Sequence, residues 1–208
     1  HAQQASQDNM NSINVLCIGD IVGKPGRAAL AKQLKAITSE NNIHFVVANI
    51  ENAAGGFGVT KRIYKECSEL GIQAFTSGNH IFDKREIMDD MESYSRLVRP
   101  ANFPDGCPGE GYKIFKFNTI KIGIINLMGR VFMGTNLDCP FKKFDTIHEQ
   151  IKDDVDIIFV DFHAETTSEK QAFFWYADGR ASLAWGTHTH IQTADDRILP
   201  QGLGCLTD

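Results

Sequence analysis

The sequence predicts an α/β fold. Three observations carry that expectation: apolar, β-branched runs recur along the chain, segments of helical periodicity fall between them, and five of the runs end in Asp, Glu, Asn or His. At 208 residues the chain fits one ordinary domain, and its 42% hydrophobic and 23% charged content is that of a soluble globular protein.

Taken in order, "INVLCI" (13–18) reads as a first strand, followed by a helix from about Gly26 to Glu40. "FVVANI" (45–50) is a second strand, followed by a helix near Thr60 to Leu70. "IQAFTS" (72–77) is a third, and "KREIMDDMESY" reads as one further helix. The Pro/Gly-rich piece "RPANFPDGCPGEG" (99–111) is the longest irregular stretch and is expected to be a surface loop near the site. "GYKIFKFNTIKIGIINL" holds two strand-like runs split at Asn118-Thr119, which predicts a β-hairpin. "FKKFDTIHEQIKDD" is helical and "DIIFVDF" (156–162) is a buried strand. "TSEKQAFFWYADG" is a helix opening on a Thr/Ser cap with glutamate in its first turn, and "SLAWG" is a last strand. No repeat, low-complexity segment or linker divides the chain.

Composition narrows the function. A net charge of −5 and a pI near 5.8 argue against tight, nonspecific binding to long nucleic acid but leave room for a small anionic substrate. No apolar run approaches the ~20 residues of a membrane span. Five scattered cysteines without CxxC spacing read as free thiols in a reducing compartment, so the expected location is the cytoplasm. A core of this size needs neither disulfides nor a structural metal, which makes any metal a functional one. Residues 1–9 lack an apolar segment and read as a cloning remnant or a disordered N-terminus before a natural start at Met10, with one domain over 10–208.

Polar residues fall in a pattern against these strands. The first ends in Gly19-Asp20, the second in Glu51-Asn52, the third in Gly78-Asn79-His80, the buried run in His163, and the last in His188 and His190. Each piece alone has an ordinary reading, as a turn, a loop start or a hydrogen-bonded histidine. All five, however, fall at the carboxyl edge, where sites gather in layered α/β sheets. Asp20, Glu51, Asn79, His163, His188 and His190 supply two carboxylates, one amide oxygen and three imidazoles. A pair of divalent metals ~3.5–4 Å apart needs such a set, and nitrogen and oxygen donors without thiolate favour manganese, iron, zinc or nickel. The His-x-His spacing is expected to place both rings on one side of an extended segment, each reaching a different ion.

"GDIVGKPGR", "ENAAGGFGVT", "GNHIFDKREI", "RPANFPDGCPGEG", "VDFHAETTSEK" and "GTHTHIQTAD" together resemble the YmdB-type metallophosphoesterases, a branch of the calcineurin-like phosphoesterase superfamily. The resemblance runs from about Ile13 to the end of the sequence. It implies a four-layer α/β/β/α sandwich and a metal-dependent phosphodiesterase acting on cyclic nucleotides, notably 2′,3′-cyclic ones. It also implies that Asp20, Glu51 and His190 hold one metal and Asn79, His163 and His188 the other, with Glu51 bridging. Asn52 would lie beside the cluster, and His80 would give the leaving group its proton. Val22 and Glu51 stand where the wider superfamily usually has histidine and aspartate, as is normal for this branch. Family members usually continue past the position of Asp208, so a C-terminal segment is expected to be missing.

The expected cofactors are two divalent ions, iron or manganese ahead of zinc. The expected reaction is attack of a metal-bridging hydroxide on phosphorus, with a small phosphodiester or cyclic nucleotide as substrate. Neither a membrane nor stable nucleic-acid binding is expected, and a homo-oligomer is compatible. A nuclease or nucleotidase using the same residues, or a metal- or nucleotide-sensing regulator with little turnover, are the alternatives. Phe57 and Phe82 flank the ligand motifs as base-stacking candidates or core residues; Lys24 and Arg27 could attract phosphate at a helix start or be solvated there.

Overall fold

Val15–Asp20 forms β1, Phe45–Asn49 β2 and Ala74–Thr76 β3, three parallel strands hydrogen-bonded in that order. The computed structural model describes residues 12–208, so the remnant assigned to 1–9 and the start at Met10 lie outside the described residues. Helices α1 (Gly23–Glu40) and α2 (Lys61–Glu69) connect the strands. α1 begins three residues before the expected Gly26 because Pro25 sits in its first turn, where a missing N–H costs no helical hydrogen bond. Thr60 caps α2 by accepting from the Ile63 N–H at 3.4 Å.

The expected single helix over "KREIMDDMESY" is broken. α3 covers only Arg85–Asp89, and a 3-10 turn follows at Met91–Ser93. Between them Asp90 leaves helical geometry (φ −142, ψ 44), while its carboxylate accepts from Ser93 Oγ at 2.5 Å and Lys61 Nζ at 2.7 Å. A local acceptor of this kind competes with the helical ladder.

A second, mixed sheet has six strands in the order β4-β5-β6-β7-β9-β8. They are β4 Tyr112–Phe117, β5 Ile120–Met128, β6 Ile157–His163, β7 Leu183–Thr187, β8 Arg197–Ile198 and β9 Gly204–Leu206. β4 and β5 form the expected hairpin, with Asn118 in the left-handed region at φ 52. α4 (Pro140–Ile151) and α5 (Thr167–Ala177) cross between the parallel strands β5, β6 and β7. β8 and β9, two and three residues long, are too short for any periodicity to announce them.

Strand alternation divides the apolar side chains into three clusters. Val46, Ala48 and Phe75 meet Leu34, Ile63 and Cys67 of α1 and α2. Ile125, Val160 and Ala184 meet Phe144, Ile147, Phe173 and Phe174 of α4 and α5. The opposite faces supply the third: Phe45, Val47 and Ala74 of the first sheet lie with Ile122, Ile124, Phe159 and Trp185 of the second.

The stretch 99–111 departs from a surface loop in its first half. Arg99 and Asn102 are buried, and the Asn102 amide accepts from the Met128 N–H at 2.8 Å and donates to the Met128 carbonyl at 2.7 Å. It thereby closes the end of β5 beside His163, the β6 residue in register with Met128.

Candidate metal centre

Continuing along the strands, the faces that meet between the two sheets change from apolar to polar. On β2 the alternation runs Phe45, Val47, Asn49, then Glu51; on β6 it runs Phe159, Asp161, His163. β1 would present Gly19 on this side, but a bulge between Ile18 and Asp20 brings Asp20 opposite Asn49 instead. One inserted residue thus turns a carboxylate toward the site.

The structure brings Asp20, Glu51, Asn52, Asn79, His163, His188 and His190 together. Glu51 and His163 are fully buried, and Glu51 Oε1 lies 3.1 Å from His163 Nε2. Asn79 Oδ1 is 2.8 Å from the same nitrogen, and His188 Nδ1 is 3.1 Å from it. Asn52 Nδ2 lies 3.2 Å from Asp20 Oδ1, 3.2 Å from Glu51 Oε1 and 3.1 Å from His190 Nε2. His190 Nε2 is in turn 3.6 Å from Asp20 Oδ1. Glu51, His163 and His188 each offer a ligand atom, all within 4.8 Å of one another.

The extended segment expected for His-x-His is not present. β7 ends at Thr187, and both histidines have left-handed backbone, φ 100 at His188 and φ 58 at His190. Strain of this sort persists only where the surroundings impose it. Here the His188 N–H donates to Asp20 Oδ2 at 2.9 Å, and Asp208 accepts from the Thr189 N–H and hydroxyl at 3.2 and 2.6 Å.

His80 stands beside this group, tied to Glu51 by its backbone and to Asp83 by its ring. Its backbone N–H donates to Glu51 Oε2 at 2.9 Å, while Nδ1 pairs with Asp83 Oδ2 at 2.6 Å. Half-exposed Phe57 meets the ring edge-on at 5.4 Å between centroids, whereas Phe82 packs on Phe103. Arg27 is engaged with Glu66 at 3.0 Å and with the Ala53 carbonyl, so it holds the loop after β2 and is not a free phosphate-attracting cation.

Four partners were not anticipated from the sequence: Asp83 on His80, Glu165 at 3.1 Å from His188 Nε2, Thr187 at 2.9 Å from His163 Nδ1, and Asp161 below Thr187 at 2.6 Å. Only Asp161 left a signal, a carboxylate inside an otherwise apolar strand.

The electrostatics follow from burial and proximity. Burial alone would raise the Glu51 carboxyl, but the His163 charge and hydrogen bond, with the His80 N–H, hold it below the usual range. Burial alone would lower His163, yet the Glu51 carboxylate outweighs it and pushes the ring up to about 9. Burial lowers His188, with the His163 charge adding to the effect. Burial pushes Asp161 up to about 7. A cationic centre is thus stabilised at His163.

The residues fit a divalent ion better than that proton. One ring N–H cannot serve Glu51 Oε1, Asn79 Oδ1 and His188 Nδ1 at once, whereas a cation accepts all of these donors.

The family model described as YmdB-like protein matches residues 16–208. A Bacillus subtilis (strain 168) protein named 2′,3′-cyclic-nucleotide 2′-phosphodiesterase is 47% identical over 196 residues, 94% of this chain and 74% of that one. A crystal structure of a hypothetical protein from Thermus thermophilus superposes with a TM-score of 0.87 at 40% identity, covering 93% of this chain and 75% of that one. A structure described as a novel phosphatase from Mycoplasma pneumoniae gives 0.89 at 38% identity, covering 96% and 72%. With the family model spanning nearly all the described residues and a relative so similar over most of both lengths, the chain belongs to the YmdB-like family.

Proposed function

We propose that this chain is a two-metal phosphodiesterase that opens 2′,3′-cyclic nucleotides. The observation that carries the reading is the meeting of Glu51, Asn79, His163 and His188 at one point, with Asp20, Asn52 and His190 beside it. The chain is a hydrolase of phosphoesters, as its relatives are named. The cyclic substrate comes from the name of the B. subtilis relative.

Asp20, Glu51 and His190 would hold one divalent ion, and Glu51, Asn79, His163 and His188 the other, with iron or manganese favoured and zinc acceptable to the same donors. Bound there, the ions would supply a water made acidic enough to attack at neutral pH and would neutralise phosphate charge. The chain's own residues do the rest. As the attacking oxygen bonds to phosphorus and the ester P–O bond breaks, the departing sugar oxygen needs a proton. His80 Nε2 gives it, with Asp83 fixing the ring through Nδ1. The Asn52 amide donates to Asp20 Oδ1 and Glu51 Oε1, and would be free to donate to a phosphate oxygen once metal ions take those carboxylates, while exposed Phe57 offers the base an aromatic edge.

We read residues 10–208 as one domain whose three apolar clusters separate four layers, α/β/β/α. The five free cysteines support placing it in the cytoplasm. Among the described residues no helix is long and apolar enough to cross a membrane.

The test is hydrolysis of 2′,3′-cyclic AMP by manganese-loaded protein, with and without a chelator. Chelator-sensitive turnover is the expected result. Tight nucleotide binding by folded, metal-loaded protein without turnover would favour the sensor reading instead. Turnover confined to oligonucleotides, with affinity falling steeply in salt, would favour a nuclease.

A further inference from the structure

Two of the side chains assigned above to one ion are imidazoles, and each has two nitrogens, of which only the bare one can bind a metal. Their outer partners determine which that is. We infer that Thr187, backed by Asp161, and Glu165 are positioning residues that lock His163 and His188 in opposite tautomers, baring His163 Nε2 and His188 Nδ1 toward one cation. The inference rests on the two-metal reading and goes beyond it.

The Thr187 hydroxyl has a single hydrogen. It lies 2.6 Å from Asp161 Oδ1 and 2.9 Å from His163 Nδ1. In its ionised form Asp161 can only accept, so the hydroxyl donates to Asp161 and its oxygen accepts from the ring. His163 Nδ1 therefore carries a hydrogen, and Nε2 is the nitrogen that a metal ion would bare by displacing its proton. Asp161 is not free to turn away. Its Oδ2 accepts from Asn49 Nδ2 at 3.1 Å and from the Thr76 hydroxyl. The orientation of the Asn49 amide is fixed in turn, because its Oδ1 accepts from the Glu51 N–H at 3.1 Å and its Nδ2 donates to the Ser77 carbonyl at 3.1 Å. Asn49, Thr76, Asp161, His163 and Thr187 are all fully buried, so no bulk water substitutes for a missing partner.

The second ring is held the opposite way round. Glu165 Oε2 lies 3.1 Å from His188 Nε2, and a negative charge at that distance favours the hydrogen on Nε2, which bares Nδ1. The two bare nitrogens end 3.1 Å apart, with Asn79 Oδ1 and Glu51 Oε1 beside them. The Glu165 side chain is 49% exposed whereas His163 is wholly buried, so the Thr187 arm is the more demanding of the two.

The experiment uses the full chain loaded with zinc, which is diamagnetic. Long-range ¹H–¹⁵N correlation of the imidazoles is expected to show the hydrogen on Nδ1 of His163 and on Nε2 of His188. Metal affinity, measured by competition with a chromophoric chelator, is expected to fall about 10–100-fold in Thr187→Val and to stay near wild type in Thr187→Ser, which keeps the hydroxyl. Glu165→Ala is expected to lose less, and Glu165→Gln, which keeps a carbonyl acceptor, to stay near wild type. The reverse tautomers in the wild type overturn the inference even where Thr187→Val fails to fold. A folded Thr187→Val with wild-type affinity overturns it too. Either result in a wild type that holds metal and hydrolyses the cyclic nucleotide leaves the two-metal reading standing, whereas a wild type that takes up no metal removes both.

Discussion

Gly78 shows how little room separates the loop after β3 from the candidate centre. A Cβ built there would lie 2.3 Å from His163 Nε2, well inside contact distance. Gly78→Ala is therefore expected to displace the His163 ring and cut bound metal at least about tenfold, checked by elemental analysis after gel filtration. His80 makes a different prediction, because its ring is paired with Asp83 through Nδ1 and is not one of the proposed metal ligands. His80→Ala should keep its metal yet lose about 10²–10⁴-fold in rate on a cyclic nucleotide, whose leaving oxygen needs a proton. It should lose far less on a nitrophenyl ester, whose leaving group does not. Equal losses on both substrates would remove the proton-donor role. The ligand-type residues at five strand ends were legible one by one in the sequence. Asp83, Glu165 and Thr187 were not, because a residue's value as a hydrogen-bond partner depends on what the fold brings next to it.

At the scale of elements, helices α4 and α5 are joined by Asp145, which accepts from Tyr176 Oη and Arg180 Nη1, both at 2.6 Å. Burial alone would raise this carboxyl, but those two hydrogen bonds and the Arg180 charge outweigh it and hold it below the usual range. A carboxyl lowered in the folded state contributes stability above its unfolded pKa of about 3.9, and that contribution disappears as pH falls through the folded value. Asp145 is 42% exposed, so solvent screening keeps the contribution within about 1 kcal/mol. Asp145→Asn is expected to melt lower than wild type at pH 7 and to converge with it toward pH 3, as followed by thermal denaturation. A gap that persists at low pH would assign the effect to packing. Most strands and helices were legible because apolar periodicity is a local property. The break at Asp90 and the left-handed turn at His188 were not, because hydrogen-bond partners from other segments, Lys61 on the Asp90 carboxylate and Asp20 under the His188 N–H, help to impose them.

Across the whole molecule, the polar centre bridges the two sheets, with β1, β2 and the loop after β3 on one side and β6 and β7 on the other. Ions held there should stabilise the fold as a unit. At a free metal concentration a hundredfold above Kd the gain is about 2.7 kcal/mol, or roughly 5–10 °C in melting temperature for a chain of this size. Calorimetry with and without a chelator measures it, and an unchanged melting temperature would mean that no ion couples the sheets. Thiol chemistry tests the same unity without metal. Cys67 lies in the cluster under the first sheet and Cys205 in the cluster under the second, both buried. Burial raises both thiols, Cys67 to about 11. Both are expected to resist a disulfide reagent at pH 7 while Cys107 and Cys139 react, and then to be labelled at one common rate on unfolding. Two separate rates would mean that the halves open independently.

The sequence by itself determined the α/β class, the order of the main strands and helices, the β4–β5 hairpin and the residue types from which a metal centre could be built. Those follow from periodicities and end signals that act within a few residues. Tertiary structure decided the rest: the bulge that turns Asp20 inward, the burial of Asn102, the course of the His188–His190 loop, and the partners that orient each ring. Each of these depends on contacts between residues tens of positions apart, and no local pattern records which of two imidazole nitrogens a distant hydroxyl or carboxylate will hold.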